Sequence, residues 1–256
     1  MDRAIIDDHT PDRDLFPPGK GRGLSLAGRE PGYAYSSTAR PLPPEWLIPR
    51  SEWQARIEER EAAKARLSDI VDQAKLPCKD QGTSNFCWAN ATTHTLEIAR
   101  AVQGEPTVIL SAASVGAPIT GYRNQGGYGP DALEYLDANG AVPESAWPAN
   151  AIDKRYATQA NLALGRLYRV AAWIEAAPQS LDETISLLLL DVPVAVGLGW
   201  WGHEVTYYDP LWLDGEIAIR ARNSWGMAWG DRGYFTLRGR RMLPDDAVAP
   251  TMALPG

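Results

Sequence analysis

The sequence predicts an α+β protein of two lobes, with a helical first half and a β-rich second half behind an extended arm. Patterns of helical spacing dominate up to about residue 160, and short alternating runs typical of strands dominate from about residue 161. Eight prolines fall within the first 50 residues, which favours extended chain there. A chain of 256 residues is long enough for one domain of two lobes with an appendage.

Composition and charge narrow the class of protein. The chain is 45% hydrophobic and 22% charged, which is ordinary for a globular protein. A net charge of −7 argues against a general nucleic-acid binder. The N-terminus lacks the apolar core of a signal peptide, and Asp191 and Pro193 interrupt the most apolar run, residues 185–201. With only two cysteines, we expect a protein of a reducing compartment that has neither a disulfide framework nor a membrane span.

The first predicted elements are the arm and a helix. Residues 1–50 form the arm, because their composition cannot bury enough apolar surface to fold alone. Residues 51–74 then show a helical stripe of apolar side chains, and Ser51 with Gln54 fits a capping box at its start. We expect one packing helix there.

The main domain is predicted over residues 75–256, and its helical lobe extends to about residue 160. A helix is expected from Cys87 to about Ala101. A shorter helix is expected over residues 131–139, with Gly140 just past its end.

The β lobe is predicted over about residues 161–256. Ser180 and Glu183 indicate a capping box at the start of a helix that ends near residue 190. The strands are expected at residues 165–173, 192–199, 204–208, 216–222 and 233–238.

The stretch Gln-Gly-Thr-Ser-Asn-Phe-Cys-Trp-Ala, residues 81–89, carries the first candidate catalytic residues. Cys87 falls at the predicted start of a helix, where the partial positive charge of the helix terminus favours thiolate over thiol. Gln81 offers an amide donor to a negative charge that develops near that sulfur. Cys87 is therefore a candidate nucleophile and Gln81 a candidate oxyanion donor.

A cysteine nucleophile needs a base that carries protons, and the chain has three histidines. His9 lies in the arm. His94 lies on the same predicted helix as Cys87, about 10 Å along its axis, which is too far for a hydrogen bond to the sulfur. His203, at the start of a predicted strand, is the remaining candidate.

A third block follows His203 by twenty residues and reads Asn223-Ser-Trp-Gly-Met-Ala-Trp-Gly-Asp-Arg-Gly-Tyr-Phe235. Together with the stretch around Cys87 and the segment Gly-His-Glu-Val at His203, it resembles the papain family of cysteine peptidases. The resemblance covers roughly residues 75–237 and includes the order Cys, His, Asn. It implies a papain-like fold with a helical lobe, an antiparallel β-barrel-like lobe and an active cleft between them.

The same resemblance implies a catalytic triad. Cys87 would attack the substrate, His203 would carry the proton, and Asn223 would orient His203. Gln81 and the Cys87 amide would stabilise the oxyanion.

It also implies three substrate-binding residues. Trp225 would shield the bond between His203 and Asn223 from water. Gly126 and Gly127 would line the main chain of the substrate. We expect no metal and no cofactor.

Four departures from the family pattern matter most. Ser84 and Asn124 stand where the family usually has the two cysteines of a disulfide. Asn85 and Phe86 replace small residues beside the nucleophile, where the substrate main chain would pass. We therefore expect a fold that holds without a disulfide, and a reduced or narrowed activity.

These observations predict a thiol protease that cleaves peptide or isopeptide bonds of polypeptide substrates, and that binds neither nucleic acid nor membranes. An alternative of another class is a structural or accessory protein of papain fold in a larger assembly, for example a virus particle. The expected location is intracellular or within such a particle.

The arm allows two interpretations. It lacks the spaced pattern of the helical pro-segment in papain-like zymogens. We expect residues 1–50 to dock onto a neighbouring protein of an assembly and to leave the cleft at Cys87 open. The alternative is that the arm crosses the cleft over Gly126 and Gly127, as in a zymogen.

Overall fold

A computed structural model describes residues 5–26 and 39–255 of the chain. Residues 1–4 and 27–38 of the predicted arm therefore lie outside the described residues. Within the described ranges, no helix is long and apolar enough to cross a membrane.

The helices of the described chain lie mostly in its first two thirds. They are α1 (Arg50–Ala63), α2 (Leu67–Gln73), α3 (Cys87–Val102), α4 (Ala113–Ile119), α5 (Gly129–Ala138), α6 (Gln159–Gly165) and α7 (Leu181–Leu189). Short 3₁₀ turns lie at Asp12–Leu15, Pro44–Trp46, Lys154–Tyr156 and Gly239–Met242.

Among the described residues, the strands form one seven-stranded sheet in the order β1-β6-β5-β4-β3-β7-β2. The strands are β1 (Ile5–Ile6), β2 (Val170–Glu175), β3 (Val194–Leu198), β4 (His203–Leu213), β5 (Glu216–Arg222), β6 (Tyr234–Leu237) and β7 (Asp246–Ala253). Neighbouring strands are antiparallel except β1, which runs parallel to β6. This combination of helices with a largely antiparallel sheet is the predicted α+β class.

Helix α3 lies at the centre of the molecule. It packs against β3, β4 and β7 on one side and against α5 on the other, and it is buried all round from Cys87 to Arg100. The buried hydroxyls of Thr92 and Thr93 are hydrogen-bonded within the helix, because they donate to the carbonyls of Trp88 and Ala89, four residues earlier. The sheet and the helical lobe therefore meet on this helix, and its first residue is Cys87.

The N-terminal helix expected over residues 51–74 is two helices, α1 and α2. Lys64 adopts a left-handed conformation at φ 52° and ends α1. The capping box expected at Ser51 is wrong, because α1 starts one residue earlier behind Pro49 with no side-chain cap. The hydroxyl of Ser180 does cap α7 by accepting from the amide of Glu183.

Two elements of the β lobe differ from the expectation. The strand expected from residue 165 starts at Val170, because residues 159–165 form α6. Strand β7 was not predicted, although it lies between β3 and β2. Its Pro250 pairs with Trp173, and a proline inside a run argues against a central strand on sequence grounds.

The arm lies along the body of the chain. Its β1 extends the sheet beside β6, and Arg238 donates its amide to the carbonyl of Ile6. Arg40 adds a parallel bridge at the opposite edge, beside Ile174 of β2. The described parts of the arm thus reach both edges of the sheet.

Candidate active site

Sheet register brings His203 and Asn223 together. Because β4 and β5 are antiparallel and Thr206 pairs with Arg222, the start of β4 lies beside the end of β5. The Nε2 atom of His203 lies 2.8 Å from Oδ1 of Asn223. The other ring nitrogen, Nδ1, is buried and has no hydrogen-bond partner within the described part of the chain.

Two indoles enclose the imidazole. The ring centroid of Trp225 lies 4.5 Å from that of His203 at an interplanar angle of 31°. Trp201 meets the same imidazole edge-on at 5.1 Å. All three side chains are buried, so water is excluded from the bond between His203 and Asn223.

Cys87 and Gln81 come from the helical lobe. Cys87 is the first residue of α3, as predicted. The segment before it joins the loop that carries Asn223, since Gln81 donates its amide to Ser224 at 2.8 Å and Gly226 donates to Lys79 at 2.9 Å. This short antiparallel contact holds the two lobes together beside the cysteine.

The side-chain amide of Gln81 has a fixed orientation. Its oxygen accepts from the hydroxyl of Ser224. Its nitrogen donates to the carbonyl of Ser84 at 2.7 Å and to the carbonyl of Gly21 at 3.1 Å. Ser224 therefore turns the amide so that its donor faces the cleft, where the arm carbonyl now lies.

The arm crosses the cleft directly over these residues. The amide of Gly23 donates to Sγ of Cys87 at 3.3 Å. The carbonyl of Gly21 accepts from Gln81 and, at 3.1 Å, from the indole of Trp225. The expectation that the arm leaves the cleft open is therefore wrong.

The arm also pairs with the predicted glycine segment. Gly127 donates to the carbonyl of Gly23 and accepts from the amide of Ser25, each at 2.9 Å, which makes a parallel bridge between Leu24 and Gly127. A Cβ at Gly126 would lie 2.5 Å from the carbonyl oxygen of Gly23. Both glycines thus lie against a peptide main chain in the cleft.

The sequence analysis did not identify the glycines that let the arm approach the cleft closely. A Cβ at Gly21 would lie 1.8 Å from the carbonyl oxygen of Ser84, and one at Gly23 would lie 2.0 Å from that of Asn85. Only glycine permits such a close approach of two backbones. The alternation Gly-Lys-Gly-Arg-Gly at residues 19–23 is the signal that could have shown it.

In the arm-closed form, burial favours the neutral state of both reactive groups, although the amide of Gly23 in the arm acts to lower the pKa of Cys87. Burial, followed by the nearby Glu204 carboxylate, raises the pKa of the Cys87 thiol to about 12. Burial lowers the pKa of His203 to about 4, and the positive charge of Arg22 in the arm acts in the same direction. The thiolate expected at the helix terminus is therefore wrong for this arm-closed form, because desolvation outweighs the helix terminus.

A set of hydrogen bonds lies where the family's disulfide would be. Asn124 accepts from the amide of Asn85 at 2.7 Å through its side chain, and its own side-chain nitrogen donates to Thr83 at 3.4 Å. The side chain of Asn85 donates back to the carbonyl of Asn124 at 3.2 Å. We call these bonds the Asn124 clasp. Cys78 and Cys87 are both free.

Phe86 does not stand in the cleft. Its ring is buried and packs edge-on to Trp88, with centroids 5.8 Å apart. A Cβ on Gly116 would lie 2.9 Å from that ring, so the missing side chain of Gly116 makes room for it. The larger residue beside the nucleophile is thus accommodated in the core of the helical lobe.

His94 belongs to a separate buried network. Its Nδ1 lies 2.8 Å from the carboxylate of Glu97, and its Nε2 contacts the hydroxyl of Tyr208. Glu97 also pairs with the ammonium of Lys79 at 2.6 Å. Both ring nitrogens of His94 are thereby engaged away from the cysteine, as expected. No group of three or more metal-ligating side chains occurs among the described residues.

The chain is similar to known proteins over much of its length. A family profile for the papain family cysteine proteases matches residues 67–210. Digestive cysteine proteinase 3 of Homarus americanus is 28% identical over 189 residues, which cover 64% of this chain and 58% of the relative. The chain thus spans little more than half of that relative's length.

Solved structures show the same fold. Digestive procathepsin L 3 from the larval midgut of Tenebrio molitor superposes with a TM-score of 0.62 at 19% identity, covering 91% of this chain and 76% of the other. Xylellain, a cysteine protease from Xylella fastidiosa, gives a TM-score of 0.60 at 19% identity and covers 91% and 97% of the two chains. On the family match and this shared fold, the chain belongs to the papain family of cysteine proteases.

Proposed function

We propose that the chain is a cysteine peptidase that hydrolyses peptide or isopeptide bonds of polypeptides, and that its own arm holds it latent. The observation that carries this proposal is the peptide main chain in the cleft. Residues 21–25 of the arm are hydrogen-bonded to Gln81, Cys87 and Gly127. A cleft that holds a peptide main chain against a cysteine, with an imidazole nearby, is suited to acyl transfer.

The proposed triad is Cys87, His203 and Asn223. Once the arm leaves, water reaches the cleft and the charge of Arg22 departs, so the pKa of Cys87 falls and that of His203 rises. The thiol proton then moves to Nδ1 of His203, and the thiolate attacks the carbonyl carbon of the substrate. Asn223 accepts from Nε2 of His203 and holds the ring in place.

Two donors would meet the negative charge that develops on the substrate oxygen. These are the side-chain amide of Gln81, oriented by Ser224, and the backbone amide of Cys87. His203 then passes its proton to the leaving amine, which leaves an acyl thioester on Cys87. A water molecule, deprotonated by His203, hydrolyses the thioester and restores the thiol.

Latency follows from the position of the arm. In the closed form the carbonyl of Gly21 takes the hydrogen bond of Gln81, and the amide of Gly23 covers the sulfur. We propose residues 1–50 as the latency segment, residues 51–74 as a helical connector and residues 75–256 as the peptidase domain.

The test uses the full chain with Gly23→Ala, because a Cβ at this position would lie 2.0 Å from the carbonyl oxygen of Asn85. The substituted arm cannot lie in the cleft as described. We expect fluorescent iodoacetamide to label Cys87 at least 10-fold faster than in the unchanged chain, and casein to be cleaved. Ser25→Ala is the matched control, because the side chain of Ser25 is exposed and its contact with Gly127 is made by the backbone amide, which the substitution keeps.

Two outcomes would count against the proposal. Equal labelling of Cys87 in the Gly23→Ala and Ser25→Ala chains would contradict latency. Fast labelling without cleavage of a broad panel of peptides and proteins would favour the alternative, an accessory protein of papain fold in an assembly. A Cys87→Ala chain sets the background for both measurements.

A further inference from the structure

The arm places acidic side chains on a basic turn before it reaches the cleft. Residues Gly239–Met242 form this 3₁₀ turn after β6, and we call them the basic turn because it contains Arg240 and Arg241. The two carboxylate oxygens of Asp8 accept from the backbone amide of Arg240 at 3.0 and 3.2 Å. The guanidinium of Arg241 donates to the carboxylate of Asp12 at 2.8 Å. Two acidic residues, four positions apart, are thus matched to two neighbouring residues of the turn.

The backbone of the basic turn receives a carboxylate where a side chain is missing. Gly239 has a φ of 62°, in the left-handed region that favours glycine. A Cβ at this position would lie 2.7 Å from Oδ2 of Asp8. The carboxylate therefore reaches the amide of Arg240 because residue 239 has no side chain.

An indole fixes the guanidinium of the basic turn. The guanidinium carbon of Arg241 lies 4.1 Å from the ring centroid of Trp200, and the indole of Trp200 donates to the carbonyl of Arg241 at 3.2 Å. Trp200 stacks on Trp201 with centroids 5.3 Å apart, and Trp201 meets His203 edge-on. An arginine stacked on an aromatic face keeps its N–H groups available to a carboxylate. The basic turn is thus connected to the candidate base through two packed rings.

A groove beside these contacts has room for further side chains of a bound peptide. Its volume is about 570 Å³, and Trp200, Arg241 and Asp245 are among the residues that line it. The carboxylate of Asp245 accepts from the amide of Gly199 at 2.6 Å and from the side chain of Gln179 at 2.7 Å. This acidic group is therefore engaged by its neighbours, and the arginines of the basic turn give the groove its attraction for an acidic peptide.

Departure of the arm removes the carboxylates of Asp8 and Asp12 and leaves both arginines to solvent. We propose that the basic turn is an exosite, a docking site outside the cleft, for an acidic segment of a polypeptide substrate. Residues 12 and 21 of the arm are nine positions apart, so such a segment would lie at a similar spacing from the part of the substrate in the cleft. The role in substrate choice rests on the proposed peptidase function, whereas the binding of an acidic peptide does not.

The binding test first uncovers the basic turn in the full chain. Asp8→Arg and Asp12→Arg achieve this, because like charges keep the arm segment away from the two arginines of the turn. A fluorescein-labelled peptide that copies residues 7–16 is then added, and fluorescence anisotropy gives its Kd. We expect this peptide to bind in the place that the arm segment has left.

One substitution in the uncovered chain assigns the binding to the basic turn. Arg241→Gln should raise the Kd of the peptide about 10-fold or more, the range that one charge-assisted hydrogen bond supports. Arg155→Gln is the matched control, since this arginine is exposed in the helical lobe and pairs with Asp153. Equal Kd values for the two substituted chains would overturn the exosite.

Two altered peptides separate a site from general charge attraction and leave the chain itself unchanged. In the first, asparagine replaces the aspartates of positions 8 and 12. In the second, the four aspartates of residues 7–16 are placed next to one another. Both peptides should bind about 10-fold more weakly, because neither presents two carboxylates four positions apart. No binding of the original peptide, or equal binding of the rearranged one, would overturn the exosite, and this holds even if Arg241→Gln lowers the stability of the chain.

Kinetics test the role in substrate choice. The chain is the uncovered one with Gly23→Ala, and the substrates share one fluorogenic sequence selected from the fragments of casein. We expect a copy of residues 7–16, attached nine residues away at one end or the other, to lower KM about 10-fold and to leave kcat unchanged, because it binds away from the reacting bond. Arg241→Gln should remove the difference in KM.

The outcomes separate this inference from the proposed function. Peptide binding that depends on Arg241 supports the docking site even if no substrate is cleaved, a result that would contradict the peptidase instead. Cleavage of the substrates with equal KM, with and without the acidic copy, would overturn the exosite while the peptidase function stands.

Discussion

The side-chain amide of Asn223 determines which ring nitrogen of His203 carries the hydrogen, and therefore which nitrogen would be the base in the proposed mechanism. The Oδ1 atom of Asn223 accepts from the backbone amide of Ser224 at 2.7 Å. The oxygen of this side-chain amide, and not its nitrogen, is therefore the atom that faces His203. The imidazole Nε2, which lies 2.8 Å from the same oxygen, must then carry a hydrogen. In the neutral ring this leaves the lone pair on Nδ1.

We expect the side-chain amide of Gln81 to raise kcat as a hydrogen-bond donor to the oxyanion. In the arm-displaced Gly23→Ala chain, Gln81→Ala should lower kcat by about 10²-fold, because one oxyanion donor is lost. Steady-state kinetics with a fluorogenic peptide measure this effect. The control is Ser84→Ala, since the hydroxyl of Ser84 is buried without a hydrogen-bond partner in the described chain. An unchanged kcat for Gln81→Ala would remove this residue from the mechanism.

The helices and strands differ in how well the sequence predicts them. The start of α3, the strand that begins with His203 and the strand that ends just before Asn223 follow from motifs and alternation, because local residues determine them. The sequence does not predict strand β7. Pro250 interrupts its pattern, and the segment becomes a strand through its pairing with β2 and β3.

The path of the arm is also not predictable from local sequence. Its proline content predicts extended chain, and its described parts contain the short strand β1 and two 3₁₀ turns, but composition does not say which surface such a chain will follow. The surface is decided by contacts between residues far apart in sequence, such as Gly23 with Cys87 and Ile6 with Arg238. These contacts depend on backbone atoms, and backbone atoms leave little trace in side-chain patterns.

The Asn124 clasp should stabilise the segment before α3 without any sulfur chemistry. Asn124→Ala removes two side-chain hydrogen bonds at a partly exposed site, so we expect a loss of about 1 kcal/mol in the free energy of unfolding. Chemical denaturation of the two chains measures the difference. A reducing agent should leave the Tm of both chains unchanged, because Cys78 and Cys87 are free. A drop of several degrees on reduction would show that a bridge had formed.

At the scale of the whole molecule, the described parts of the arm, residues 5–26 and 39–50, contact both edges of the sheet and the cleft, and we call them the strap. The strap is anchored by β1 beside β6 at one edge and by Arg40 beside β2 at the other. Between these anchors, residues 21–25 cross the cleft. Release of the cleft therefore does not require unfolding of the body, only separation of the strap from the residues beneath it.

Acidification should favour that release. In the closed form burial lowers the pKa of His203 to about 4, and the charge of Arg22 in the arm acts in the same direction. When the arm leaves, the entry of water and the loss of Arg22 shift this pKa up towards 6.5, the ordinary value for histidine. Below about pH 6.5 the open form therefore binds more protons than the closed form, so closure weakens as the pH falls towards 4. The stabilisation of the closed form by neutral His203 is fully present above about pH 6.5.

The measurement is the fraction of open chain at each pH. After incubation between pH 7 and pH 4, the susceptibility of the arm to a protease active in acid should rise in the unchanged chain. The Gly23→Ala chain should show high susceptibility throughout, because its arm is already displaced. If susceptibility stays flat down to pH 4 while the body remains folded, His203 does not couple protonation to the strap.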